Sequence, residues 1–93
     1  MIATFACRAT HLLWLGQKPP EIPSTIHQTA LRKLTQLQAA TSLHDLRIPP
    51  GNRLHALRGN RQGRYAIRIN DQYRLCFCWE GREAYEIEIT DYH

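Results

Sequence analysis

No apolar run in this chain approaches the roughly 20 residues that a membrane-spanning helix needs, so a helical membrane protein is excluded. The opening stretch MIATFACRATHLLWLGQ lacks the charged start and unbroken apolar centre of a secretory signal, and a cytoplasmic location is expected. Cysteine is scarce and odd in number: Cys7, Cys76 and Cys78 are read as small buried residues, with no disulfide framework. There is no Gly-rich phosphate loop, no paired Cys/His spacing and no Ser/His/Asp order of a nucleophilic triad. Acids do not cluster on the basic stretch, as a carboxylate-held metal nuclease would require. Any chemistry is therefore expected to need no metal and no cofactor. Repeats and low-complexity tracts are also missing, and 93 residues are enough for one core but not for two. A single domain over residues 1–93 follows.

What is present is unevenly distributed charge. The net charge is only +4. Between Asp45 and Arg74, however, lie Arg47, Arg53, Arg58, Arg61, Arg64, Arg68 and Arg74, against Asp45 and Asp71 alone. From Glu80 onward the balance reverses, with Arg82 among Glu80, Glu83, Glu86, Glu88 and Asp91. A basic block built of arginine favours phosphate, because the guanidinium fork binds oxygens bidentately.

Hydrophobic spacing supplies the elements. Ile2 to Phe5 fits a short strand, and His11 to Leu15 a short helix ending at Gly16. Gln17 to Pro23 is a proline-rich loop. Ser24 is an N-cap candidate for a helix over 25–39, in which Ile26, Ala30, Leu34 and Leu37 recur at helical spacing while Arg32, Lys33 and Gln36 fall elsewhere. Thr41 or Ser42 is placed to cap a further turn through Leu46, and Pro49-Pro50-Gly51 stops helix formation. Strands are predicted over 53–57, 64–70, 73–79 and 84–89, with turns at 59–63, 70–72 and 80–83. Helices followed by an antiparallel meander make an α+β fold, N-terminal helices packing on one face of a small, mainly antiparallel sheet. Alternation assigns Tyr65, Tyr73, Phe77, Trp79, Tyr85 and Ile87 to the covered face, and Arg64, Arg68 and Arg74 to the other. Arg68 and Arg74 flank one turn and are placed to grip a single phosphate; the competing role is pairing with Glu86 and Glu88.

His55 in the basic strand and His93 at the end of Asp91-Tyr92-His93 are the histidines best placed for proton transfer. Tyr92 is a candidate for stacking on a base. Taken together, the Leu34-x-x-Leu37 helix before AATSLHDL, the segment RLHALRGNR, the strand pair AIRINDQYR and the terminal DYH resemble the HigB branch of the RelE/ParE toxin superfamily. The resemblance implies a RelE-like fold and a ribosome-dependent mRNA endonuclease that cuts mRNA in the ribosomal A site. It also implies a cognate HigA-type antitoxin with a helix-turn-helix domain, operator DNA being bound only through the toxin–antitoxin complex. It assigns the active site to His55, Arg58, Arg74, Asp91, Tyr92 and His93; in that family the position of Arg58 is often Lys and that of His55 often Glu.

RNA carries its own nucleophile, the 2′-OH, so the protein need only orient it, move two protons and neutralise phosphate charge. Arg74 and Arg58 are expected to supply the neutralisation. His93 or Asp91 takes or relays the 2′-OH proton, His55 donates to the leaving oxygen, and Tyr92 holds the splayed base. Arg53, Arg61, Arg64 and Arg68 are expected to contact the RNA backbone. Two other classes compete. A ParE-like gyrase poison has no need of the Asp-Tyr-His end, and a non-catalytic RNA- or DNA-binding module would need only the arginine face.

Overall fold

Strand alternation decides the second half of the chain and helical spacing the first. The computed structural model describes residues 1–57 and 63–91. Among these the regular elements are α1 (Arg8–Trp14), α2 (His27–Ala39), β1 (His55–Ala56), β2 (Arg64–Arg68), β3 (Tyr73–Glu80) and β4 (Glu83–Asp91). The strands form a four-stranded antiparallel sheet in chain order, giving the expected α+β architecture. Ile2 and Phe5 add parallel bridges to Ala84 and Ile87 on the outer side of β4, so the sheet is mainly antiparallel.

α1 stops where glycine permits. Gly16 has φ +93°, and its N–H donates to Leu13 O while that of Gln17 donates to Leu12 O, both at 3.0 Å. This pattern satisfies carbonyls left over at the helix end. α2 is entered through a 3-10 turn, Ser24–Ile26. The expected Ser24 cap is corrected: Pro23 holds the cap position, and the turn is closed by Ile26 N–H on Pro23 O at 3.1 Å with no side-chain cap bond. Neither Thr41 nor Ser42 caps the 3-10 turn Leu43–Leu46 with its side chain. Asp45 Oδ2 instead accepts from the Thr41 N–H at 2.9 Å and from the Thr41 hydroxyl at 3.2 Å. The Thr41 N–H is the main cause holding the Asp45 carboxyl below its ordinary range.

The apolar stripe of α2 packs on one sheet face. Ala30, Leu34 and Leu37 are sealed against Ile67, Leu75, Phe77 and Ile87 in a single core, each large side chain contributing roughly 1.5–3 kcal/mol by burial. Thr10, also buried, joins α1 to the sheet by accepting the Ile89 N–H at 3.1 Å. Tyr65 pairs with Phe77 and Ile67 with Leu75 on this face, while Arg64 pairs with Cys78, Ala66 with Cys76 and Arg68 with Arg74 on the other. The alternation predicted for β2 and β3 is therefore observed.

Two predictions in the sheet are corrected. The strand expected over 53–57 is confined to His55–Ala56, because Arg53 takes a left-handed conformation with φ +48°. The inward placement of Tyr85 fails because β4 carries a bulge: Cys76 faces Glu88 but Cys78 faces Tyr85, where strict alternation would put Glu86. The extra residue reverses the parity below it. Ala84 is fully buried instead, and Tyr85 is half-buried on the face of Cys78. There its hydroxyl donates to Glu83 Oε1 at 3.1 Å, and this bond is the main cause raising its pKa. At the bulge Glu86 has φ +52°, and its N–H is satisfied by Thr4 Oγ1 at 2.9 Å.

A left-handed backbone costs a side-chain-bearing residue about 1–2 kcal/mol. Glu86→Gly is therefore expected to leave the melting temperature unchanged or raise it. Glu88→Gly, which breaks the Arg64 ion pair in regular strand, should lower stability by about 1 kcal/mol. Thermal melts of the two variants check this, and a larger loss for Glu86→Gly would contradict the bulge.

Candidate active site

The site is built around the β2–β3 turn. Asn70 Oδ1 accepts the N–H groups of Gln72 and Tyr73 at 2.8 and 2.7 Å. The Ile69 and Asn70 N–H groups both reach Tyr73 O, at 3.0 and 3.1 Å. An Asn that hydrogen-bonds the backbone two residues on fixes a tight reversal, and this one locks Arg68 directly opposite Arg74. Like charges at such positions destabilise a sheet by roughly 0.2–1 kcal/mol.

Arg53 and His55 complete the wall. His55 is in register with Ala66, which places it on the face carrying Arg68 and Arg74. Arg53, His55, Arg68 and Arg74 line a cleft of about 270 Å³, with Asn70, Asp71 and Tyr73 of the turn. The acid in this set, Asp71, accepts a hydrogen bond from Arg68 Nη2. The carboxylate is 98% exposed and the guanidinium 37%, so the ion pair is wet and weak and gives way readily to a phosphate oxygen.

His55 Nδ1 lies 3.1 Å from Arg53 O. A carbonyl oxygen only accepts, so Nδ1 must carry the proton. In neutral His55, Nε2 is then the atom with the free lone pair; in the imidazolium it is the atom with a proton to give. Three arginines and a histidine whose Nδ1 meets a backbone carbonyl line one cleft, a set able to hold a phosphodiester and move a proton beside it.

Of the other residues singled out from the sequence, Asp91 pairs with Tyr73 in the ladder and its Oδ2 accepts from Gln72 Nε2 at 3.1 Å, which attaches it to the rim of the same turn. Arg64 shares the face but stands apart from the cleft, its Nη2 3.3 Å from Glu88 Oε1. Arg58, Arg61, Tyr92, His93 and most of the predicted 59–63 turn lie outside the described residues. Among the described residues no three His, Cys, Asp or Glu side chains gather as a metal site, and no helix is long and apolar enough to cross a membrane.

Two residues behind the cleft are not legible in the spacing. Lys33, expected away from the apolar stripe of α2, instead borders it, three residues after Ala30 and four before Leu37; it is only 6% exposed and its Nζ donates to Asn52 Oδ1. Burial lowers the Lys33 pKa, with the nearby charges of Arg32 and Arg68 adding to the effect. Asn52 is fully buried. Its Nδ2 donates to Gln36 Oε1 and Leu46 O at 2.9 and 3.0 Å, and its carbonyl accepts the Arg68 N–H at 2.6 Å. The only sequence signal is its place after Pro49-Pro50-Gly51, where a turn asparagine is ordinary.

Fold and cleft together define a small α+β protein with a cleft lined by three arginines and a histidine. The chain belongs to the HigB-like toxin family: residues 14–93 match the family described as the RelE-like toxin of type II toxin-antitoxin system HigB. It is 55% identical over 58 residues to Toxin HigB-1 of Vibrio cholerae, a match covering 62% of this chain and 61% of that protein's length. An uncharacterized protein of Haemophilus influenzae is 38% identical over 69 residues, covering 74% of this chain and 68% of the other. Endoribonuclease HigB of Proteus vulgaris is 26% identical across the full length of both chains.

The cleft predicts anion binding that needs no RNA. Inorganic phosphate at ten times its Kd should stabilise the protein by about 1.4 kcal/mol, a rise of several degrees in melting temperature for a domain of this size. Arg68→Ala and Arg74→Ala should each abolish most of the rise, and Arg82→Gln, in the exposed β3–β4 turn, should keep it. Calorimetry with and without phosphate makes the comparison.

Proposed function

We propose that this chain is the endoribonuclease toxin of a type II toxin–antitoxin pair, cutting mRNA in the ribosomal A site by metal-free attack of the 2′-OH. The observation that carries the reading is the opposition of Arg68 and Arg74 across the ladder, within one cleft that also holds Arg53 and His55. The family match and the name of the Proteus vulgaris relative support the same activity.

In this reading the scissile phosphate sits against Arg74, which with Arg58 neutralises the charge that develops as the 2′-oxygen attacks. Electrostatic stabilisation of this kind is usually the largest single contribution to such a reaction. As the imidazolium, His55 gives its Nε2 proton to the departing 5′-oxygen and is left as the Nδ1–H tautomer, which the bond from Nδ1 to the Arg53 carbonyl supports. His93 or Asp91 takes the 2′-OH proton, and Tyr92 stacks on the base next to the cut. Arg53 and Arg68 hold backbone phosphates and set the register of the strand; Arg61 takes the same role, as does Arg64 once a phosphate replaces Glu88 as its partner. The protein acts in the cytoplasm. A cognate HigA-type antitoxin with a helix-turn-helix domain restrains it, and the pair binds its own operator DNA.

The test adds purified protein to translating ribosomes and maps new 5′ ends. Wild type should generate discrete ends within the A-site codon. Arg74→Ala and His93→Ala should each lower cleavage by at least about 100-fold and relieve growth inhibition, with Arg61→Ala milder. No new ends with intact growth inhibition would favour a gyrase-poisoning toxin. RNA retained intact, with binding that falls steeply with salt, would favour a non-catalytic binding module.

A further inference from the structure

A buried ammonium is an unusual choice for the inner stripe of a helix. Lys33 sits among Ala30, Leu34 and Leu37 on the inner side of α2, and among the described residues no carboxylate pairs with it. Its partner is the carbonyl end of the Asn52 amide. Desolvating a charge for one neutral hydrogen bond is unfavourable for folding, and an apolar residue of the same length would serve the core better. What the charge does is polarise the amide, strengthening its donation to Gln36 and to Leu46 O, because linked hydrogen bonds reinforce one another in a low-dielectric interior. Asn52 is thereby immobilised at side chain and backbone alike.

The consequence lies at the next residue. Arg53 adopts φ +48°, a conformation that costs an arginine free energy unless its surroundings enforce it. On one side of Arg53 stands the immobilised Asn52. On the other, its own carbonyl accepts a hydrogen bond from His55 Nδ1–H. Asn52 also receives the Arg68 N–H, so a single residue anchors both walls of the cleft: the Arg53–His55 wall through the chain, and the Arg68 wall through a hydrogen bond.

We propose that Lys33 and Asn52 form a positioning unit for the cleft, holding Arg53 in its left-handed conformation and, through the Arg53 carbonyl, fixing His55 as the Nδ1–H tautomer with Nε2 available for proton transfer. The effect on turnover rests on the ribonuclease reading above; the effect on the His55 ring does not. Neither residue lines the cleft, so their loss should act on the rate of the chemical step rather than on RNA binding.

The test compares full-length wild type with Lys33→Met, Asn52→Asp and Asn52→Ala, using Arg32→Gln on the outer face of α2 as control. Two quantities are read: the His55 ring tautomer, from its ¹⁵N shifts above neutral pH, and kcat and KM on ribosome-bound mRNA. Wild type and Arg32→Gln should show Nδ1–H. Lys33→Met and Asn52→Ala should show mixed tautomers, with kcat lower by about 10- to 100-fold and KM within about threefold of wild type. Asn52→Asp keeps an acceptor for Lys33 Nζ and should recover part of the loss. Lys33→Met carries the test independently of whether Asn52→Ala folds, because methionine fills the same stripe of the core. A folded Lys33→Met with the wild-type tautomer and wild-type kcat would overturn the proposal. If wild type leaves ribosome-bound mRNA intact, the ribonuclease reading fails, and the tautomer comparison alone decides the positioning role.

Discussion

The buried amide of Asn52 is the constraint on which the rest of the site depends. Its acceptor oxygen meets the Lys33 ammonium, its donors meet α2 and the end of the Leu43–Leu46 turn, and its backbone carbonyl meets β2 at Arg68. The helical layer and the sheet are thus pinned together beside the cleft, at the point where the chain leaves its proline-rich bend. Polar groups held this way are demanding, since one missing partner leaves a desolvated group unsatisfied. The result is a fixed starting point for Arg53 and His55, which sit outside regular structure or in a strand of two residues and have little else to hold them.

The non-helical face of the sheet is divided by charge. At one end Arg64 crosses to Glu88, giving a neutral, half-buried region over Cys76 and Cys78. At the other, Arg68 and Arg74 oppose one another with Arg53 nearby, and the carboxylate that meets Arg68 is almost wholly exposed. Two arginines set at the same register position on neighbouring strands break a local rule of sheet pairing. Such breaks of local pairing rules concentrate at functional positions. The Asn70 turn makes the opposition permanent rather than incidental.

Much of this is readable from the residues alone, for reasons specific to each element. β2 and β3 alternate cleanly, and the reversal between them is short and rich in Asn and Asp, so both the facing and the register of Arg68 and Arg74 follow from parity. β4 also alternates on paper, but its parity is reset at Glu86 by a contact with Thr4 some 80 residues earlier in the chain. No local pattern announces that contact, and alternation misplaces Tyr85 for this reason alone. Lys33 and Asn52 are illegible for a different reason. A lysine beside an apolar stripe and an asparagine after Pro-Pro-Gly are ordinary surface and turn residues, and their burial follows only from meeting each other. Charge and position single out His55 and Arg53, whereas the bond that fixes the His55 tautomer depends on a left-handed arginine that its sequence context does not demand.

If the basic stretch acts through one cleft, Arg53, Arg68 and Arg74 receive a single stretch of RNA backbone. The most direct measurement follows the arginine Nε–Hε resonances of the full-length protein during titration with an RNA oligonucleotide whose 2′-oxygens are methylated, so that no cleavage intervenes. Arg53, Arg68 and Arg74 are expected to shift together along one saturating curve, while Arg8 and Arg32 of the helical layer stay in place. Shifts concentrated on Arg8 and Arg32, or spread evenly over the arginines without saturation, would contradict a single cleft.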